Sequence, residues 1–143
     1  MNRINLICLG VRDIKKSLAF YKNLGFETRE SAEAPPVVFF NNQGSKLELY
    51  PLTELTKDIN PNNPPPPAPP GAVAITLACN VKSKPEVDAL IALAAQHGGV
   101  IAKAPQTVFW GGYSGYFQDP DGYYWEVAYF DQWQFDANDM LIV

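Results

Sequence analysis

Apolar residues fall along this chain in two similar series. Ile4 to Val11 is a β-branched and leucine-rich run, the pattern of a strand buried on both faces. Asp13 then caps a helix whose Ile14, Leu18, Tyr21 and Leu24 share one face, and Gly25 ends it. Three strands are predicted next, at Phe26 to Glu30, Pro36 to Phe40 and Lys46 to Tyr50, with Asn41-Asn42-Gln43-Gly44 as the turn joining the last two. The second series opens with Ala72 to Cys79 as a strand. Ser83-Lys84-Pro85-Glu86 is a capping box, and Val87, Leu90, Ile91 and Ala94 form the buried face of the helix it starts, which Gly98 stops. Val100 to Lys103, Val108 to Gln118 and Tyr123 to Phe130 complete the set of strands.

Strand, helix and three strands are thus written twice, about 70 residues apart. Between the copies lies Asn60 to Gly71, dominated by proline. Proline fixes φ and donates no amide hydrogen, so this stretch is expected as an extended, solvated connector. The expected organisation is a single domain: a first module over 1–51, a connector over 52–71, a second module over 72–130 and a tail over 131–143. In the tail, Trp133, Phe135 and the terminal Met-Leu-Ile-Val are too apolar to trail in water, so they are expected to dock on the domain or across a dimer interface.

The last hairpin is specified in most detail. Asp119-Pro120-Asp121-Gly122 has the residues of a type I turn, and a bulge at Gly122 would pair Asp119 with Tyr123 and set Tyr116 opposite Glu126. Period-two alternation then puts Ser114, Tyr116, Gln118, Tyr124, Glu126 and Ala128 on one face, with Trp125 and Val127 turned to the helices. A carboxylate amid aromatic strand residues needs a hydrogen-bond donor, a solvated cavity or a raised pKa.

Composition narrows the function. The chain has 143 residues, 47% hydrophobic and 18% charged, enough apolar surface for a core. Its 11 Lys and Arg against 15 Asp and Glu, with no basic stripe, exclude the electrostatics of a nucleic-acid binder. Cys8 and Cys79 are too few for a disulfide scaffold and read as buried reduced thiols. Met1 to Val11 imitates a signal peptide, but Arg12 and Asp13 follow at once and no apolar run approaches a membrane span. A cytoplasmic protein with no membrane partner is expected.

Gly10-Val11-Arg12-Asp13 leading into Ser17-Leu18-Ala19-Phe20-Tyr21 resembles the opening of the vicinal oxygen chelate superfamily, and Asp119-Pro120-Asp121-Gly122-Tyr123-Tyr124-Trp125-Glu126-Val127 resembles its closing motif. That group includes glyoxalase I, extradiol dioxygenases, and the fosfomycin- and bleomycin-resistance proteins. The resemblance reaches from the start to about Phe130. It implies an α+β fold of two βαβββ modules, each a curled mixed sheet around a shared cleft, and frequent homodimers. It also implies a divalent metal held through two first-strand side chains, often histidine, and two last-strand side chains, often glutamate. Those positions map to Leu6 and Ala74, and to Glu48 and Glu126. Both carboxylates are present and both imidazoles are missing. The chain's one histidine, His97, falls at the end of the second helix. Leucine and alanine coordinate nothing, so no tightly bound metal or other cofactor is expected; two carboxylates with water would hold Mg or Mn only weakly.

Two functions follow from these residues. One is a metal-independent binding protein of the bleomycin-resistance kind that holds a small planar molecule against aromatic side chains. Trp110, Tyr113 and Tyr116 from the glycine-rich run Phe109 to Phe117, together with Tyr124, Tyr50 and Phe39, are the candidate contacts. The other is a lyase, isomerase or dioxygenase-like enzyme with a weakly bound ion, or with Glu126 and Glu48 as a proton-transferring pair. Each residue also has a plainer role: Lys46 shares a face with Glu48, Tyr116 lies across from Glu126, and Trp110 and Tyr113 serve packing. Asp119, Asp121 and Asp13 are explained by their turns and cap.

Overall fold

The computed structural model describes residues 2–142, so Met1 of the leader-like start and Val143 of the apolar terminus lie outside the described residues. The chain divides into two compact units, Met1–Pro69 and Pro70–Val143. The described residues form an α+β architecture of three helices and mixed sheets.

In the first unit, β1 (Leu6–Val11) lies parallel to β3 (Lys46–Pro51), and β2 (Val38–Phe39) runs antiparallel to β3 on its other side. Helix α1 (Ile14–Asn23) starts where expected: Asp13 Oδ1 accepts from the Lys16 amide at 3.0 Å, satisfying one of the donors every helix start leaves open. Leu18, Phe20 and Tyr21 are its buried apolar residues. Tyr21 packs edge-on against Phe26 at 5.3 Å, and Phe40 lies 5.7 Å from Tyr21, an aromatic core closed by Leu9, Val11, Leu47 and Leu49. The turn before β3 is held by Asn42, whose Oδ1 accepts from the Leu47 amide at 2.9 Å and whose Nδ2 donates to the Ser45 carbonyl at 2.8 Å.

Three expectations change here. Phe26 to Glu30 forms no strand: Thr28 Oγ1 donates to the Phe39 carbonyl at 2.8 Å and accepts from the Glu30 amide at 3.1 Å, so side chain replaces ladder. Pro36 to Phe40 shrinks to Val38–Phe39, because Pro35 and Pro36 donate no amide hydrogen. The stretch after Tyr50 is not all connector, since α2 (Leu52–Ile59) fills its first part. That helix seats on Gly10, where a Cβ would stand 2.6 Å from Leu52 Cδ1 and 2.9 Å from Leu55 Cδ2. The Leu52/Leu55 spacing was its one sequence signal.

The second unit repeats the plan with a longer sheet, in the order β4 (Thr76–Val81), β7 (Tyr124–Tyr129), β6 (Tyr113–Gln118), β5 (Val100–Thr107). β4 is parallel to β7; the other neighbours are antiparallel. Helix α3 (Lys84–Gln96) carries the capping box: Ser83 Oγ accepts from the Glu86 amide at 3.4 Å, and Glu86 accepts from the Ser83 hydroxyl at 2.9 Å and the Lys82 amide at 3.1 Å. Val87, Ile91 and Ala94 are buried as expected, with Val81, Phe117 and Val127. Phe117 stacks on Trp125 at 6.2 Å on the face of the sheet turned to α3.

Ala72 to Cys79 is displaced to Thr76–Val81, because β7 begins only at Tyr124, opposite Thr76, and offers nothing to pair with earlier residues. Ala74 therefore precedes the strand to which the family pattern assigned it. Cys79 is exposed rather than buried, on the edge strand of its sheet. Val108 to Gln118 is also too long: Phe109–Gly112 turn between β5 and β6, with the Val108 amide on the Gly112 carbonyl at 2.9 Å and the Gly111 amide on the Val108 carbonyl at 3.0 Å. A short hairpin, β8 (Gln134–Phe135) with β9 (Leu141–Ile142), ends the described chain. Trp133 stacks on Trp110 at 5.9 Å, and the Lys82 ammonium stands 5.8 Å over Phe135 and pairs with Asp139, so these tail aromatics dock on their own unit.

Candidate functional site

The turn after β6 sets the register of the site. Asp119 Oδ1 accepts from the amides of Asp121 (3.0 Å) and Tyr123 (2.9 Å), the Asp119 amide donates to the Tyr123 carbonyl at 3.0 Å, and Gly122 takes φ +92°. Asp119 and Asp121 are buried in this turn and belong to its structure. The register that follows is the expected one, with Ser114 beside Ala128, Tyr116 beside Glu126, and Gln118 beside Tyr124. Continued across the sheet, Lys103 of β5 is opposite Tyr116 and Ala78 of β4 is opposite Glu126. Lys103, Tyr116, Glu126 and Ala78 thus form one row on one face.

Chemistry runs along this row. Tyr116 lies directly across the ladder from Glu126, and its pKa is raised by burial first and then by hydrogen bonding to the Glu126 carboxylate and its charge. Lys103 Nζ stands 5.6 Å from the Tyr116 ring centroid and 3.2 Å from Ser114 Oγ, on a serine only 1% exposed. Tyr124 is half-buried one row away. Lys103 is the functional candidate that sequence reasoning missed: its strand was expected to end there, and β5 bulges on both sides of it, which hides its parity.

The first unit has the same arrangement around Glu48. Its ladder neighbours are Cys8 on β1 and Phe39 on β2, and Tyr50 follows on the same face of β3 beside Gly10. The Cys8 thiol is pushed up to about 12, by burial first, then by the charge of Glu48 and its hydrogen bond to that carboxylate. Cys8, not Leu6, is the residue directly beside the carboxylate; Leu6 pairs with Lys46. Phe39 remains 54% exposed.

Two predicted contacts are not brought to these faces. Tyr113 points to the helix side, where its hydroxyl donates to Asp88 Oδ1 at 2.8 Å and Lys84 Nζ stands 5.5 Å over its ring. Trp110 lies in the β5–β6 turn and packs on Phe130 at 5.7 Å as well as on Trp133. His97 caps the end of α3 through its backbone amide. A groove of about 530 Å³ in the first unit, lined by Arg12, Leu52, Thr56, Lys57, Pro64 and Pro67, includes none of the predicted contacts. Its cations are already engaged, Arg12 with the Ala68 carbonyl at 2.8 Å and Lys57 with Glu54 at 2.9 Å.

The residues do not fit the metal that the family pattern implies. Beside Glu126 stands a methyl group with no lone pair, and beside Glu48 a single thiol, so neither carboxylate has an imidazole on the neighbouring first strand. Among the described residues, no group of three or more His, Cys, Asp or Glu side chains is placed to hold an ion.

No curated protein sequence matches the chain. Among solved structures, a glyoxalase-related enzyme from Fulvimarina pelagi is 26% identical over 100% of this chain and 99% of its own, with a TM-score of 0.87. A lactoylglutathione lyase from Agrobacterium tumefaciens is 26% identical over 94% of this chain and 98% of its own, at 0.65. A glyoxalase/bleomycin resistance protein/dioxygenase family enzyme from Burkholderia phytofirmans PsJN is 21% identical over 87% of this chain and 96% of its own, at 0.75, and shares the fold. The sequence profile of the Glyoxalase/Bleomycin resistance protein/Dioxygenase superfamily matches residues 3–127. The repeated units, the paired Glu48 and Glu126 positions and this match give one conclusion: the chain is a member of the glyoxalase/bleomycin resistance protein/dioxygenase superfamily.

Proposed function

We propose that this chain binds a small planar molecule on the Tyr116–Tyr124–Glu126 face of its second sheet, without a tightly held metal. The observation that carries the reading is Ala78, which stands beside Glu126 and has no lone pair to join it in coordination. Tyr116 and Tyr124 supply flat apolar area with polar tips, the combination that holds a planar guest in one orientation. The enzyme reading rests on a different observation, the pairing of Tyr116 with Glu126 across the ladder, which sets a proton donor beside an acceptor.

A thermal-shift series on metal-stripped protein with Mg, Mn, Fe(II), Ni and Zn tests the metal-free part of the reading. An ion at 100 times its Kd adds about 2.7 kcal/mol. With about 2.1 cal/mol/K of unfolding entropy per residue, that raises Tm by about 9 °C. The expected result is no such rise. A rise abolished by both Glu48→Ala and Glu126→Ala refutes the metal-free reading and sends the chain to enzyme assays.

We further propose that the protein is a homodimer and cytoplasmic. Phe109, Met140 and Ile142 stay exposed after the tail aromatics have docked, and among the described residues no helix is long and apolar enough to cross a membrane. Sedimentation as a monomer, with no change when the last four residues are removed, refutes the dimer.

A further inference from the structure

The row Lys103–Tyr116–Glu126 holds two opposite charges that do not meet. Lys103 and Glu126 sit on β5 and β7, with β6 between, so their backbones are about 10 Å apart. Tyr116 stands in the gap and neighbours both, its ring beneath the ammonium and its strand position directly across from Glu126. Among the described residues, no carboxylate lies within ion-pairing distance of Lys103, and Glu126 has Tyr116 as its one side-chain donor. An ammonium has three donors, of which Lys103 spends one on Ser114; a carboxylate has about four acceptor positions, of which Glu126 uses one. Both side chains are half-buried, where unused charged capacity is costly. Ala78 is exposed and adds only a methyl group beside Glu126, so that end of the row is open to approach.

From this we infer that the ligand of this face carries an oxyanion at one end and a hydrogen-bond donor at the other, the oxyanion held by Lys103, which Ser114 anchors from beneath, and the donor by Glu126. The inference rests on the binding reading above and adds the ligand's charge pattern. A small aromatic zwitterion or amino acid has the required form: a flat centre to lie on Tyr116 and Tyr124, an anionic head for the ammonium, and a donor for the carboxylate. Charge-assisted bonds at both ends, rather than area alone, then set affinity and orientation.

The test uses the full chain with 4-(aminomethyl)benzoate, which has both groups, and with benzoate and benzylamine, which have one each. Affinity is read by calorimetry at low salt, and location by shifts of the Tyr116 and Tyr124 ring resonances. The expected result is binding of 4-(aminomethyl)benzoate about tenfold tighter than either single-group compound. Lys103→Met is expected to remove its advantage over benzylamine, and Glu126→Gln its advantage over benzoate. Ser114→Ala, which nearly conserves volume and releases the Lys103 ammonium from its anchor, weakens both carboxylates; it and the wild-type series decide the matter if Lys103→Met does not fold. Equal affinity for all three compounds on this face, unchanged in Ser114→Ala, overturns the charge pattern and leaves the binding reading standing. No shift on this face with any of the three overturns both.

Discussion

Replacing Gly122 by alanine tests whether the end of the proline segment is packed against the turn that sets the site. Gly122 has φ +92°, and a Cβ there would lie 2.5 Å from the Gly71 nitrogen and 3.2 Å from the Pro70 carbonyl carbon. Gly98, in the same unit, has φ +99° but nothing within 4 Å of its would-be Cβ. Both substitutions cost the left-handed conformation, about 1–2 kcal/mol for a residue with a Cβ. Only Gly122→Ala must also displace backbone, an overpacking cost of about 1–3 kcal/mol. With a urea dependence of about 2 kcal/mol/M, the midpoint falls by about 0.5–1 M for Gly98→Ala and about 1–2.5 M for Gly122→Ala. Trp110, Trp125 and Trp133 all belong to the second unit, so intrinsic fluorescence during urea unfolding reads that unit. Equal midpoints for the two variants refute the close packing of Gly71 on the turn.

Other substitutions test the chemistry of the two faces. At pH 8 native Cys8 reacts with Ellman's reagent far more slowly than the unfolded chain does, and Glu48→Gln, by removing the charge that disfavours the thiolate, speeds it; equal rates in native and unfolded protein argue against the burial. Because the native pKa of about 12 lies above the ordinary 9.0, the folded chain keeps a proton that the unfolded chain releases. The stability Cys8 contributes is therefore present below pH 9 and is lost as pH rises towards 12, a decline that Cys8→Ala removes from a pH series of urea midpoints. Glu126→Gln moves the ionisation of Tyr116, followed by phenolate absorbance, to lower pH; an unmoved titration means the hydroxyl is not on that carboxylate. Ser83→Ala loses the cap of α3 and about 1 kcal/mol, whereas Ser83→Asp retains most of it in the same urea assay.

Local chemistry decided what could be read from the sequence. The Asp119–Gly122 turn, the Asp13 and Ser83 caps and the pairing of Tyr116 with Glu126 each depend on residues close in the chain or on strict alternation, and the structure contains all of them. Ala74 precedes β4 for a reason outside its own segment, since the start of β4 is set by where β7 begins. Tyr113 lies on the helix face because it alternates with Ser114 and Tyr116, whereas Trp110 leaves the strand in the Phe109–Gly112 turn. Lys103 escaped notice because bulges break the alternation that would have revealed it. Helix α2 was hidden by the prolines after it, and only a glycine on another strand shows where its leucines rest. The carboxylates were found by resemblance; that Cys8 and Ala78 flank them is a matter of register, which parallel pairing does not write locally.

Glu48 and Glu126 occupy one address in a duplicated plan, yet their surroundings have diverged. Cys8 and Phe39 make the first address soft and largely apolar, while Ala78, Tyr116 and the nearby Lys103 make the second open and polar. Sequence copied twice has become two unlike surfaces without a change of backbone plan. Selection can therefore tune one carboxylate while the other stays fixed, and a substitution at Glu48 carries no forecast for Glu126. Transplanting Cys8 and Phe39 onto positions 78 and 116 would give the second carboxylate the ladder neighbours of the first and leave Lys103 as the remaining difference between the two rows.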